Sequence, residues 1–301
     1  MNKVVIIGCG NVGMASAYAL LLQGSSINEL VLIDIDKKKV EGEVLDLNHA
    51  LSYFNRGMQV FAGDYSDCED ASIIVICAGK NQEKGETRTD LLHKNYAVFN
   101  SIISSINKTN FKGIYLIATN PVDTMTLVTQ KLSGFPASRV IGSGTTLDTA
   151  RLRYLISEKI NINTSNIHGY VIGEHGDSEL IAWDNVTVGA DSVMKLIDSE
   201  TAKNIAEDVK QSAYKIIEKK GNTCYGIGAC VLKIVNAILQ NENSIMTVSS
   251  YDKQRDIYYS LPAIINRSGV RKVLPLTLSE KDEIKLKNSM DTLASIRDEI
   301  L

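Results

Sequence analysis

Short runs that are apolar at every position, Val4 to Ile7, Leu30 to Ile33, Ile73 to Cys77 and Ile114 to Ala118, followed by the brief Val140-Ile141, alternate with helix-sized amphipathic stretches. Continuous apolar runs suit strands covered on both faces, and helix-sized intervals suit the crossovers of a parallel sheet. The pattern predicts a doubly wound α/β sheet through about residue 142. From residue 143 onward the texture changes. It predicts a helix over about 145–159, a strand region near 167–173, helices near 199–219 and 226–240, and a last helix capped by Ser279 with Asp282. We expect one domain over 1–142 and an α+β domain over 143–301, with no low-complexity linker or internal repeat.

The loop after the first run, Gly8-Cys-Gly10-Asn-Val-Gly13, opens the helix of Ala15 to Leu22. Gly-x-Gly-x-x-Gly is a weak signal alone. Between a strand and a helix it allows a tight turn and lets a pyrophosphate approach the helix N-terminus, whose free amides attract anions. Asp34 ends the second run, 21 positions after Gly13, where a carboxylate accepts hydrogen bonds from a ribose and repels a 2′-phosphate. The first domain is therefore expected to be Rossmann-type and to bind NAD rather than NADP; the competing role for Asp34 is a plain helix cap.

Composition closes several other routes. Over 301 residues the chain is 44% hydrophobic and 22% charged, with a formal net charge of -3, which favours a globular protein and neither nucleic acid nor an anionic membrane as partner. No apolar run approaches the roughly 18 residues of a membrane span, and the apolar start is far too short for a signal peptide, so a cytoplasmic location is expected. Five cysteines, odd in number and without a Cys-x-x-Cys pair, argue against a disulfide framework or a structural zinc; no metal site is expected.

Chemistry is expected beyond the carboxyl ends of the strands. After Ile73 to Cys77 comes Ala78 to Asp90, polar and glycine-bounded, a candidate lid containing Gln82 and Arg88. After Ile114 to Ala118 comes Thr119-Asn120-Pro121-Val122-Asp123, where Asn120 could also serve only as a cap. The stretch Val171-Ile-Gly-Glu-His-Gly-Asp-Ser-Glu-Leu180 sets one of four histidines between glycines where a short strand ends. Such a residue is more often a solvated loop histidine, and its neighbours have to decide. Asp148 and Arg151, three apart on a helix, share a face, whereas Arg153 points about 200° from Arg151. If that face meets residues 173–177, His175 gains a carboxylate to fix its tautomer and a cation beside it for substrate.

Six ordered motifs, Gly8 to Gly13, Gly85-Glu-Thr-Arg88, Thr119 to Asp123, Leu147-Asp-Thr-Ala-Arg151, Ile172-Gly-Glu-His-Gly-Asp177 and Lys220-Gly-Asn-Thr-Cys-Tyr-Gly-Ile227, closely resemble the bacterial L-lactate dehydrogenases of the lactate/malate dehydrogenase superfamily, nearly end to end. The resemblance implies His175 as general acid/base, Asp148 as its orienting partner, Arg151 as the fork that grips the substrate carboxylate, and Arg88 as the group that polarises the ketone. It also implies Asn120 near the same oxygen, Thr223 and Ile227 around substrate and nicotinamide, and Val12, Lys39, Tyr65, Gly79, Ser101 and Ser143 along the NAD path with Gly8, Gly10, Gly13 and Asp34. Gln82 matches a position commonly arginine for dicarboxylate substrates and glutamine in lactate dehydrogenases. This favours pyruvate, with branched 2-oxo acids of the L-2-hydroxyisocaproate type and malate dehydrogenase as alternatives.

The resemblance further matches Arg153 and His168 to a fructose 1,6-bisphosphate site between subunits and implies allosteric activation in a homotetramer. A surface arginine and a strand-edge histidine are the plainer alternative. Little N-terminal arm precedes the first strand, and the segments Trp183 to Ile197 and Ser249 to Asp256 look shorter than in relatives, which bears on assembly. A fold kept for NAD binding without turnover is the rival from another class. The set His175, Asp148, Arg151 and Arg88, which binding alone does not require, stands against it.

Overall fold

The computed structural model describes residues 2–80 and 88–301, without the side chains of Arg88 and Thr89; Gln82 and the side chain of Arg88 therefore lie outside the described residues. The first half contains, in order, β1 (Lys3–Ile7), α1 (Asn11–Gln23), β2 (Glu29–Ile33), α2 (Lys37–Leu51), β3 (Gln59–Ala62), β4 (Ile73–Ile76), α3 (Arg88–Ile106), β5 (Ile114–Ile117), α4 (Val122–Ser133) and β6 (Val140–Gly142). The second half contains α5 (Thr146–Ile160), β7 (Ile167–His168), β8 (Val171–Ile172), β9 (Leu180–Ile181), β10 (Thr187–Val188), β11 (Asp191–Ser192), α6 (Ser199–Lys220), α7 (Tyr225–Leu239), β12 (Ser244–Asp252), β13 (Ile257–Asn266), β14 (Gly269–Val273) and α8 (Glu280–Ile300).

The apolar runs pair in parallel in the order β3-β2-β1-β4-β5-β6. Each supplies both faces. Val4 and Ile6 join Leu30, Leu32, Ile73 and Val75 under α1 and α7, while Val5 and Ile7 join Val31, Ile33, Ile74 and Ile76 under α3 and α4. Continuous apolarity is thus the period-two pattern of a strand with a core on either side. The order reverses between β1 and β4, which opens a crevice at the carboxyl ends of those strands.

The second half departs from its sequence reading in its strands, since β9 to β14 are not in that reading. Three strands that the pattern did not reveal, β12, β13 and β14, form an antiparallel meander that joins β6 through Ser249 opposite Gly142, giving one nine-stranded mixed sheet. Serine and threonine disguise β12 and β13: Thr247, Ser249, Ser250 and Ser260 are all buried. The expected strand near 167–173 is two short strands, β7 and β8, separated by Gly169 and Tyr170. The five cysteines are free, four of them buried. Among the described residues no helix is long and apolar enough to cross a membrane.

Candidate active site

Loop 173–179 leaves β8, which pairs with β9 in a separate two-stranded sheet, and is pinned from three directions. The Gly173 amide donates to the Ser260 carbonyl at 2.9 Å, the Glu174 amide to Ser289 Oγ at 2.8 Å, and the His175 amide to Asp123 Oδ2 at 2.7 Å. Asp123 is itself buried on α4 and accepts from Ser249 Oγ at 2.5 Å. The serines that disguised β12 and β13 are therefore anchors for this region: Thr247 Oγ1 lies 2.9 Å from Thr149 Oγ1 of α5, and Ser260 Oγ accepts the Thr145 amide at 3.0 Å.

The anchored loop brings His175 to the inward face of α5. His175 Nδ1 lies 2.6 Å from Asp148 Oδ2, and Arg151 Nη1 donates to the other oxygen, Asp148 Oδ1, at 2.7 Å. Asp148 is almost fully buried, so its charge is little screened. Burial by itself would lower the pKa of the imidazolium, but Asp148, Glu179 and Asp123 around it outweigh that and hold the His175 pKa at about 9. Burial would raise Asp148, yet His175 and Arg151 keep it below the ordinary carboxylate range. The result is a protonated ring held in one orientation by an ionised carboxylate. All three side chains line a cavity of about 570 Å³ with Asn120, Glu174, Glu179 and the α6 and α8 residues Lys210, Ala213, Ile217 and Ile296.

The loop between β1 and α1 suits a dinucleotide. Gly8 has a left-handed φ of +99°, and a Cβ there would stand 2.3 Å from the Ala78 amide nitrogen. At Gly13 a Cβ would stand 1.9 Å from the Gly8 carbonyl oxygen, whereas at Gly10, which precedes α1 without a side-chain cap, it would meet nothing within 4 Å. Two glycines are needed by the protein itself, and the third faces open space at a helix N-terminus, as a bound pyrophosphate requires. Asp34 Oδ2 accepts the Cys9 amide at 2.7 Å, and Lys39 Nζ donates to the Cys9 carbonyl at 2.8 Å, so acid and lysine frame the loop. Gly13→Ala is expected to push the loop off the helix, costing about 1–3 kcal/mol of stability and weakening NADH binding at least about tenfold. Nucleotide fluorescence titration and thermal unfolding test this; an unchanged affinity would mean that the loop does not carry the pyrophosphate.

The remaining predicted residues lie on several elements, and of these Asn120 alone among the described residues borders the cavity around His175. Gly79 packs against Thr119, where a Cβ would stand 2.6 Å from Cγ2. Val12 lies in the first turn of α1, Tyr65 is half-buried after β3, and Ser143, buried after β6, donates its amide to Ile117 O at 2.8 Å. Ser101 is exposed on α3. Asn120 is exposed at the cavity wall, and its carbonyl accepts from Asn95 Nδ2 at 3.0 Å. Thr223 precedes α7 and Ile227 lies in its first turn, packed against the core under α1; neither borders the cavity around His175. Arg153 points away, as its spacing predicts, and its Nη2 donates to the Gly169 carbonyl at 3.4 Å, next to exposed His168.

Three residues of the region escaped the sequence reading. Asn95 is fully buried and ties the Lys80 amide (2.7 Å) to Asn120; Asp123 ties the histidine loop to α4; Glu179 is buried on the cavity wall. Asp123 and Glu179 stood in the quoted motifs, three residues after Asn120 and four after His175, so proximity in sequence was the available signal. Burial pushes the Asp123 carboxyl up to about 6 against the hydrogen bonds from Ser249 and His175.

Comparison with known proteins now adds to the geometry. The family model for the lactate/malate dehydrogenase NAD binding domain matches residues 2–142, and that for the family's alpha/beta C-terminal domain matches residues 145–301. An L-lactate dehydrogenase of Halalkalibacterium halodurans is 48% identical over 300 residues, 98% of this chain and 96% of its own, and L-lactate dehydrogenase 1 of Bacillus cereus is 47% identical over 303 residues, 97% and 96%. A crystal structure of a lactate dehydrogenase from a Medee basin deep-sea metagenome library superposes with a TM-score of 0.96 at 46% identity, covering 99% of this chain and 98% of that one. The minor L-lactate dehydrogenase of Enterococcus mundtii, in a ligand-bound form, superposes with the same TM-score of 0.96 at 39% identity, covering 100% and 98%. With a parallel sheet in dinucleotide-binding order, a glycine cradle on its first turn and both family halves matched, the chain belongs to the lactate/malate dehydrogenase family, and its first half is that family's NAD binding domain.

Proposed function

We propose that this chain is an L-lactate dehydrogenase that reduces pyruvate reversibly with NADH, with His175 as general acid and base. The observation that supports it most is the Asp148 carboxylate shared between His175 at 2.6 Å and Arg151 at 2.7 Å on one cavity wall. A binding protein has no need of that arrangement. Bound NADH supplies the hydride that reduces the carbonyl carbon. With Nδ1 engaged by Asp148, Nε2 is the nitrogen left to give its proton to the carbonyl oxygen as charge develops there. Arg151, oriented by Asp148, grips the substrate carboxylate; a guanidinium does this through two parallel N–H donors, which fixes the substrate's orientation as well as its charge.

Asn120, Thr223 and Ile227 are assigned to the pocket around substrate and nicotinamide, and Arg88 to polarising the ketone. Gln82 is assigned to recognising the small end of the substrate. Val12, Lys39, Tyr65, Gly79, Ser101 and Ser143 are assigned to the cofactor path with Gly8, Gly10, Gly13 and Asp34. The reading also places the chain in the cytoplasm, in fermentative glycolysis, as a homotetramer with the two domains dividing near residue 142. Arg153 and His168 are assigned to fructose 1,6-bisphosphate. In support, the Arg153 guanidinium touches the residue next to His168, and its buried Nε has no hydrogen-bond partner among the described residues.

Branched 2-oxo acids are the second reading, because the cavity continues past His175 along apolar Ala213, Ile217 and Ile296. NADH absorbance followed with pyruvate, oxaloacetate and 2-oxoisocaproate, each with and without fructose 1,6-bisphosphate, decides among them. We expect fastest turnover with pyruvate and a lower apparent KM when the sugar bisphosphate is added. Preference for 2-oxoisocaproate would move the assignment to the second reading, and an unchanged KM across pH 6 to 8 would remove the allosteric one.

A further inference from the structure

Glu179 has entered so far only as one of the carboxyl groups around His175, yet it is 6% exposed and faces the same cavity. A carboxylate oxygen of Glu179, one of Asp148 and a ring nitrogen of His175 all lie within 4.8 Å of one another. The turn that carries it is closed by its own amide, which donates to the Gly176 carbonyl at 3.2 Å. Two carboxyl groups this close in a buried site cannot both ionise freely, and the group next to the histidine has the stronger claim to the charge.

We infer that Glu179 is a positioning residue for His175, a buried carboxyl that holds a proton while the imidazole is charged and whose ionisation makes the imidazole keep its own proton longer. The inference rests on His175 being the acid–base group. The surroundings frame it from each side. Asp148 and Arg151 face it from α5, Asp123 from α4 and Lys210 from α6, with Glu174 and Asp177 in its own loop and Glu299 on α8 at the cavity wall. Burial, then the charge of Asp148, push the Glu179 carboxyl up to about 8, against the pull of His175, Arg151 and Lys210. At neutral pH the cluster therefore carries Asp148 as its anion and Glu179 as its neutral acid. As pH rises, Glu179 ionises first and its charge holds the imidazolium.

Glu179→Gln preserves the shape and cannot ionise. In the whole enzyme, His175 should then lose its proton at lower pH, moving the limb on which lactate oxidation rises down by about one pH unit. Glu179→Asp should restore most of the limb. A packing role alone would lower the rate equally at every pH, and an unmoved limb overturns the inference. The ring-proton NMR signal of His175 in the unmodified chain, assigned by its loss in His175→Asn, gives a reading that requires no turnover. Two inflections, one from each group, are expected; a single one overturns the inference. If pyruvate and lactate are not substrates, the NMR titration still stands, so failure of this inference is separable from failure of the proposed function.

Discussion

Replacing His175 by asparagine is expected to lower kcat for pyruvate reduction by about 10²- to 10⁴-fold and leave NADH affinity unchanged. Among the described residues, the ring is the only group in the cavity that combines a fixed orientation, a proton at neutral pH and an uncommitted nitrogen. Asparagine can occupy the same space and donate its amide N–H to Asp148, but it has no acidic proton to give to a substrate oxygen. The cofactor cradle lies at the turn after β1 and does not involve His175, so nucleotide binding should report an intact fold. Single-turnover reduction monitored by NADH absorbance, beside nucleotide fluorescence, separates the two. A loss below tenfold would show that another group supplies the proton.

The same residue sets the pH dependence. Its folded pKa of about 9 is raised above the ordinary value of about 6.5, so the proton is in place at acid and neutral pH and is lost as pH climbs through about 9. Pyruvate reduction should hold a plateau up to that region and then fall, while lactate oxidation, which needs the neutral ring, should rise there. The sign for stability follows the same course. The favourable imidazolium interaction is fully present below about pH 6.5 and fades as pH rises toward about 9.

Replacing Gln82 by arginine is expected to move the ratio of kcat/KM for oxaloacetate over pyruvate upward by about a thousandfold. A second carboxylate enclosed without a counter-charge costs several kcal/mol, because it gives up water for a medium that screens poorly. The described walls offer little relief. Around the cavity stand the carboxyl groups of Asp148, Glu174, Asp177, Glu179 and Glu299, against Arg151, Lys210 and His175. Arg151 and His175 are already engaged by Asp148, and Lys210 Nζ donates to the Asp177 carbonyl at 3.1 Å. An added guanidinium supplies what such a site lacks. Steady-state kinetics on both acids measure the ratio, and a change under tenfold would mean that specificity is set elsewhere in the pocket.

What could be read from the chain and what could not divide along the range of the interactions. Strands β1, β2, β4 and β5 were legible because a strand covered on both faces must be apolar at each position, a rule that acts on neighbours in sequence. The contact of Arg151 with Asp148 follows from three-residue spacing on one helix, and the opposite heading of Arg153 from two-residue spacing. The glycine cradle is only partly local: Gly13 answers to the Gly8 carbonyl five residues before it, whereas Gly8 answers to Ala78 at the end of a neighbouring strand. Strands β12 and β13 were hidden because their buried serines and threonines look like surface residues until Asp123, Thr149 and Thr145 are brought against them from more than 90 positions away. The burial of Glu179 and Asp123, and with it their raised pKa values, exists only once α4, α5 and the loop after β8 meet. Sequence alone determined which groups this protein carries and which helix face each occupies; the tertiary structure decided which of them lose water together, because desolvation belongs to the packed assembly and to no segment of the chain.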